Sequence, residues 1–468
     1  MTAQPDPGSF RDRDSRVFLV GDEVWRGLSA RALEQWRALE ASGLAARWID
    51  SGRLVQSELV ERGPADAPPD AAGRPWAGFL RHARVEAISY PYEWSFGMLR
   101  AAALHTLELL ADALAKGWIL KDATPYNVQF QGARPVFVDA GSFEPLPEGA
   151  AWVGYRQFCE QFLYPLLLTA HWGVDFRPWL RGRLEGIPAG DLRALCSWRD
   201  LGRAGVFAHV ALPAALQRRF ADAREDARET VRKAGFRREL IEINVRKLRR
   251  LVEGLEWRAG ASTWSDYAQN TTYDEGERAR KATFVRRAAA ARAGGVVWDL
   301  GANTGEYSRV AAEHARLVLA LDADHLAVER NFRALAAAGR TDVLPLVGDV
   351  TDPSPGLGWR GRERRTLVER SSPDLVLALA LVHHVAIGAH VPLPEFGAWL
   401  GGLGGDLVVE FVAKDDPQTR RLLRHKDDRY DDYTLSALEA SLAATHEVVA
   451  REELQGGLRT LLHARRRS

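Results

Sequence analysis

The chain has 468 residues, room for two or three domains of about 150 residues each, and 46% of its residues are apolar, enough to bury cores. Its 63 Lys and Arg against 62 Asp and Glu leave a formal charge of +1, which excludes an overall electrostatic pull toward nucleic acid or an anionic membrane. Two cysteines without paired spacing, Cys159 and Cys196, argue against a disulfide framework or a thiolate-rich zinc site and suit a reducing compartment. The first residues, MTAQPDPGSFRDRDSR, carry charges where a secretion signal needs an apolar stretch. No run approaches the roughly 20 apolar residues that span a bilayer, so a cytoplasmic protein without membrane attachment is expected.

In chain order, VFLV at 17–20 and EVWR at 23–26 flank Gly21-Asp22 and predict a β-hairpin. A helix follows, capped by Ser29, striped by Leu33, Trp36 and Leu39, and stopped by Gly43. Residues 62–76, rich in Pro, Gly and Ala, read as a mobile loop. Residues 99–116 form a strongly amphipathic helix ending at Gly117. Residues 150–212 read as largely helical. From 216 to 257 the charges alternate, and two helices broken at Gly235 are expected. Their basic end, Arg246, Lys247, Arg249 and Arg250, reads as a solvated face laced with ion pairs rather than a phosphate-binding patch. Beyond Gly260, apolar strands alternate with Ala-rich helices, the pattern of a parallel α/β sheet, which puts a domain boundary near 258.

The chemistry concentrates at the predicted strand ends. GVVWDL at 295–300 runs into Gly301-Ala302-Asn303-Thr304-Gly305 and a helix from Glu306, a glycine turn that lets a ligand reach the backbone and the helix amides. The strand 317–321 ends in Asp322, where an acid accepts hydrogen bonds from ribose hydroxyls in this topology. A third strand, 343–347, ends in Gly348-Asp349, and a fourth, 374–379, ends in Ala380-Leu381-Val382-His383-His384. Ligands of open α/β sheets bind at such carboxyl ends.

These residues resemble the class I S-adenosylmethionine-dependent methyltransferases over roughly 260–468. The resemblance implies a Rossmann-like, mostly parallel sheet and S-adenosylmethionine held by Asp299, Gly301, Ala302, Asn303, Gly305, Asp322 and Asp349. Tyr267, with Trp264 and Tyr273, stands where the family's aromatics cover the cofactor. His383 or His384 would take a proton from the acceptor or else only shape the pocket. LVHH at 381–384 departs from the Asn/Asp-Pro-Pro-Tyr/Phe pattern of enzymes that N-methylate DNA bases, and both cysteines lie too far upstream for cytosine C5 chemistry. Small-molecule, glycan or protein acceptors remain.

The N-terminal half carries a second constellation. Asp122, Asn127 five residues on, and Asp139 after the strand 135–138 would set two metal-binding oxygens beside a base, an arrangement for phosphoryl transfer. The stretch 117–143 resembles the protein-kinase-like superfamily, in particular its aminoglycoside phosphotransferase branch. That implies an α+β kinase-like domain with a helical connection over 1–257, Asp122 as catalytic base, Asn127 and Asp139 as magnesium ligands, and ATP with Mg2+ as further cofactors. The front half departs from that pattern. No lysine precedes Lys116 and no glycine-rich phosphate loop is present, so Arg26 would substitute, partnered by Glu34 or Glu40. Taken whole, PYEWSFGML at 91–99, KDATPYNVQF at 121–130 and WDLGANTGEYS at 298–308 resemble the bacterial nodulation-type methyltransferase relatives. The expected protein is therefore a methyltransferase over 258–468 joined to a kinase-like module that recognises or phosphorylates the acceptor. The alternatives are a catalytically dead recognition module in the same position and a non-catalytic S-adenosylmethionine sensor.

Overall fold

The computed structural model describes residues 2–70, 72–220, 237–258, 275–424 and 426–467. Its first sheet is antiparallel and contains β1 (Gln4–Pro5), β2 (Ser15–Val20), β3 (Glu23–Leu28), β4 (Ser57–Val60) and β5 (Gly78–His82) in the order β1-β2-β3-β5-β4. The expected hairpin is there, with Val20 opposite Glu23 and Gly21 at φ 60° supplying the left-handed turn residue. Ser29 caps the helix Ala30–Ala41 by accepting the Ala32 amide at 3.2 Å, and Leu33, Trp36 and Leu39 are its buried face. Gly43, at φ 77°, ends one helix and opens another, Leu44–Asp50, that the sequence reading did not anticipate. Between β4 and β5 no regular element forms among the described residues of the Pro-rich stretch.

The helix Phe96–Ala115 starts three residues before the expected Leu99 because Ser95 caps it. It is apolar on most of its circumference and lies in the middle of the N-terminal core. Two small antiparallel pairs follow, β6 (Trp118–Leu120) with β9 (Phe143–Pro145), and β7 (Val128–Gln131) with β8 (Arg134–Phe137). The region 155–220 is mostly helical, as expected. Of the two charged helices, Leu212–Phe220 and Arg238–Gly254 are seen, and Gly235 lies outside the described residues. Ile241, Val245, Leu248 and Val252 bury one stripe of the second helix against Phe96–Ala115. On its basic face Arg249 reaches Glu253 at 2.8 Å and Glu108 at 3.2 Å.

The second large sheet has seven strands: β10 (Val296–Leu300), β11 (Leu317–Asp322), β12 (Val343–Val347), β13 (Leu375–Ala378), β14 (Asp406–Val412), β15 (His446–Leu454) and β16 (Arg459–Arg466). Their order is β12-β11-β10-β13-β14-β16-β15, with β10 to β14 parallel and β16 antiparallel to both its neighbours. This is the Rossmann-like, mostly parallel sheet expected, and the fully buried VVWDL of β10 shows why: a strand covered on both faces reads as a continuous apolar run. The chain leaves β10 toward β11 on one side and returns to β13 on the other, so the glycine turn after β10 lies at the topological switch point.

The two sheets belong to halves that are docked through buried polar contacts. Glu329 accepts Ser95 Oγ and the Gly97 amide, both at 2.7 Å, so a carboxylate from one half sits on the positive end of the helix Phe96–Ala115. A Cβ at Gly97 would lie 2.8 Å from Glu329 and Phe332, and only glycine permits that approach. Arg370 pairs with Glu93 at 2.5 Å with both side chains buried, and Ser354 donates to the same carboxylate.

Candidate functional site

The turn after β10 is held open by its own backbone. The amides of Gly301 and Ala302 both donate to the Leu321 carbonyl, at 2.8 and 2.9 Å, which ties the turn to β11. Gly301 and Gly305 take φ values of 74° and 76°, a region that side chains with a Cβ avoid. A Cβ at Gly301 would stand 3.3 Å from Leu381, and one at Gly305 would strike the Asn331 amide at 2.5 Å. Asn303 adopts φ 49°, and its amide donates to Asp322 Oδ2 at 2.7 Å. Asp322 also accepts the Asp324 amide at 2.8 Å. Burial pushes the Asp322 carboxyl up to about 6 against these amides, and the charges of Asp324 and Asp349 push the same way. Asp349, exposed at the end of β12, accepts Thr351 through both its amide and its hydroxyl. The structure thus brings Gly301, Ala302, Asn303, Gly305, Asp322 and Asp349 to one edge of the sheet.

Asp299 is engaged by the helix that follows the turn. Its carboxylate is buried, accepts Ser308 Oγ at 2.6 Å and is raised to about 6 by burial, an arrangement that ties the turn to the helix Glu306–Ala311. Tyr267, Trp264 and Tyr273 lie outside the described residues.

The two histidines after β13 differ. Their rings lie 4.0 Å apart. His383 is fully enclosed, neither ring nitrogen has a hydrogen-bond partner, and burial holds its pKa well below the usual imidazole value. No acceptor can reach it in this arrangement, which removes His383 from the two positions expected to supply a base. His384 is partly exposed, with a pKa lowered to about 4 chiefly by burial and then by Arg459, so it is neutral at pH 7.

Behind this pair lies a cluster that the sequence reading missed. Lys281 donates to Glu410 at 2.6 Å, Arg459 reaches Glu410 at 3.4 Å and Asp416 at 2.8 Å, and all four side chains are buried. The ammonium of Lys281 also sits 4.6 Å from the ring centre of Tyr307, on the helix that follows the glycine turn. The signal was Glu410, an acid in the otherwise apolar run LVVEFV at 407–412.

In the N-terminal half, Asp122, Asn127 and Asp139 do converge, but on one another. Arg26 forms an ion pair with Asp139 and is 3.2 Å from Ser15 Oγ, while Glu34 and Glu40 are exposed. The expected partnership of Arg26 with a helix glutamate is therefore corrected: β3 faces the Asp139 loop, not the outer side of the helix. Asn127 Nδ2 donates to the Asp122 carbonyl and to Ser142 Oγ, which in turn donates to Asp139. Burial and the charge of Asp139 raise the Asp122 carboxyl. This set does not fit a magnesium site. Asp139 is already neutralised by the Arg26 guanidinium, and Asn127 Nδ2 is engaged by the Asp122 carbonyl and Ser142 Oγ.

No protein-family model matches the chain. It is 37% identical to nodulation protein NoeA of Rhizobium meliloti (strain 1021) over 98% of this chain and 97% of the relative. The chain belongs to the NoeA family. The three segments singled out in the sequence, 91–99, 121–130 and 298–308, come from both halves, and a match of this extent takes in both. Among solved structures, the N-methyltransferase NodS of Bradyrhizobium japonicum WM9 is 14% identical, with 42% of this chain and 99% of that one covered and a TM-score of 0.30. The magnesium protoporphyrin IX methyltransferase ChlM of Synechocystis PCC 6803 is 17% identical over 44% of this chain and 95% of that one, with a TM-score of 0.32. Among the described residues no helix is long and apolar enough to cross a membrane.

Proposed function

We propose that this chain is a class I S-adenosylmethionine-dependent methyltransferase acting on a small-molecule, glycan or protein acceptor, and that its N-terminal half recognises that acceptor. The observation that carries the reading is the switch-point turn, open at Gly301 and Gly305, with Asp322 bonded to its amide and close enough to Asp349 to feel its charge. The residues fit the cofactor: the Gly301–Gly305 backbone would border it, Asp322 would accept ribose hydroxyls and Asp349 would face the base. The cofactor supplies an already activated methyl sulfonium, so the chain's task is to align the acceptor, keep water out and accommodate a proton. His384, neutral and on the segment after β13, is our candidate to accept that proton. The N-terminal half acts as a kinase-like fold kept for binding: β6, the Asp122 loop, the β7/β8 hairpin and Asp139 follow in the expected order, while Asp139 is committed to Arg26.

The test is turnover of S-adenosylmethionine by the full chain in small-molecule and glycan fractions of a bacterial extract. Release of S-adenosylhomocysteine together with a product heavier by one methyl group supports the reading, whereas tight cofactor binding without release would favour the sensor. Gly301→Val should weaken S-adenosylhomocysteine about tenfold in calorimetry, since a β-branched residue at that φ costs on the order of 1–3 kcal/mol, strain that the free loop relieves by leaving the open turn and that binding must restore.

A pH dependence follows from Asp322. Its carboxyl titrates near 6, and only the ionised form can accept both loop amides and a ribose hydroxyl. Affinity for S-adenosylhomocysteine should therefore be flat above about pH 7 and fall as the pH drops through 6. Asp299 titrates in the same range, so Asp322→Asn is the control: it should bind weakly and lose most of the pH slope.

A further inference from the structure

The N-terminal half contains a cavity of about 670 Å³ whose wall is completed by the other half. Apolar side chains of the first sheet, Val17, Leu19 and Val24 among them, form one side; Arg26, Asp122 and Asp139 lie on another. Arg364, from the connection between β12 and β13, closes it. That guanidinium is 6% exposed, yet its Nε and Nη1 have no hydrogen-bond partner, and it lies 5.7 Å from the ring centre of Tyr126. The neighbouring Glu363 feels the charge of Arg364, but its oxygens are hydrogen-bonded by Arg11 and the Trp359 amide and leave those two donors open. A buried cation with open donors costs several kcal/mol unless an anion meets it.

A second buried group points to the rest of the ligand. His82 lines the same cavity and is 9% exposed. Ser57 Oγ donates to the Val55 carbonyl at 2.9 Å, so its 2.7 Å contact with His82 Nδ1 must be donated by the ring. The other nitrogen, Nε2, is then a bare acceptor, and it has no partner. Asp122 adds a further acceptor on the same wall.

We propose that this cavity is a binding site for a polyhydroxylated anion, such as a sugar phosphate or a sugar acid, with the anionic group on Arg364 and hydroxyls donating to His82 Nε2 and Asp122. Neither half makes the site alone. The inference rests on reading the N-terminal half as the recognition module, not on methyl transfer. Arg364 also lies 15 residues beyond Asp349 in the connection that runs from the end of β12 to β13, so an occupied cavity would brace the segment joining the two sites.

Calorimetry on the full chain, without divalent metal, decides it with three probes: glucose 6-phosphate, glucuronate and glucose. Saturable binding of at least one anion, tenfold or more tighter than glucose, is expected, and which anion binds identifies the acid group. Arg364→Gln should weaken that anion at least tenfold, while Arg360→Gln, an exposed cation of the same connection, should leave it unchanged. If neither anion binds at millimolar concentration, if glucose binds equally well, or if Arg364→Gln binds like the parent, the assignment is overturned. Should Arg364→Gln not fold, hydrogen exchange on the parent protein replaces it: the anion must slow exchange in both 79–84 and 357–366, and protection of neither overturns the proposal. S-adenosylhomocysteine titrated into the same samples reads the other site separately, so failure of one assignment does not obscure the other.

Discussion

Asp322→Ala should weaken S-adenosylhomocysteine by about a hundredfold or more while the chain stays folded. The carboxylate accepts two backbone amides, at 2.7 and 2.8 Å, and in the proposed complex would also accept from the ribose. Hydrogen bonds to a charged group contribute roughly 1.5–3 kcal/mol each, and about 1.4 kcal/mol is tenfold in affinity. Losing the ribose contact and the restraint on the Asn303 amide together accounts for two decades. The fold should survive because this carboxyl is not a stabilising ion: burial has raised its pKa to about 6, so its ionised form is disfavoured where it stands. Calorimetry with S-adenosylhomocysteine, alongside a thermal melt, measures both outcomes. An unchanged affinity would remove the cofactor site from this edge of the sheet.

Glu410→Leu should have the opposite profile, a large loss of stability. Glu410 is completely buried and meets Lys281 at 2.6 Å and Arg459 at 3.4 Å. Removing it takes a buried carboxylate contact from both Lys281 and Arg459. Breaking a buried pair from one side costs about 3–5 kcal/mol, because the surviving charge stays desolvated. The half that carries the seven-stranded sheet should melt lower by roughly 6–20 °C, taking about 2–4 °C per kcal/mol for a unit of this size. The combined Lys281→Met and Glu410→Leu variant should recover part of that loss, since the buried ammonium that faced Glu410 is then gone as well. A double variant no more stable than Glu410→Leu would show that the Lys281 contact is not what Glu410 is kept for.

Much of the seven-stranded sheet and its ligand edge was legible in the sequence. GVVWDL before a glycine turn, and acids closing the second and third strands, are local patterns whose chemistry depends on residues a few positions apart. The caps at Ser29 and Ser95 and the turn at Gly21 belong to the same class. Ser95 was overlooked because the apolar stripe of that helix is plain from Leu99 and hides the earlier start. The last three strands passed unread: β15, HEVVAREEL, is mostly exposed and carries four charged residues, so it has little apolar contrast. At the candidate site, His383 and His384 could not be told apart from their spacing, since adjacent residues differ in burial only through what the fold packs on each.

By itself, then, the chain of residues determined the motifs: hairpin, caps, glycine turn, strand-end acids, and the loop from Asp122 to Asp139. Tertiary structure alone decided which charges meet. Arg26 finds Asp139 across 113 positions, Lys281 finds Glu410 across 129, and Arg364 reaches a cavity built by the other half. The physical reason is range. Backbone torsions and caps are set by neighbours within a turn or a strand, whereas the pairing of buried charges depends on strand order and on how the halves dock, which no local spacing encodes.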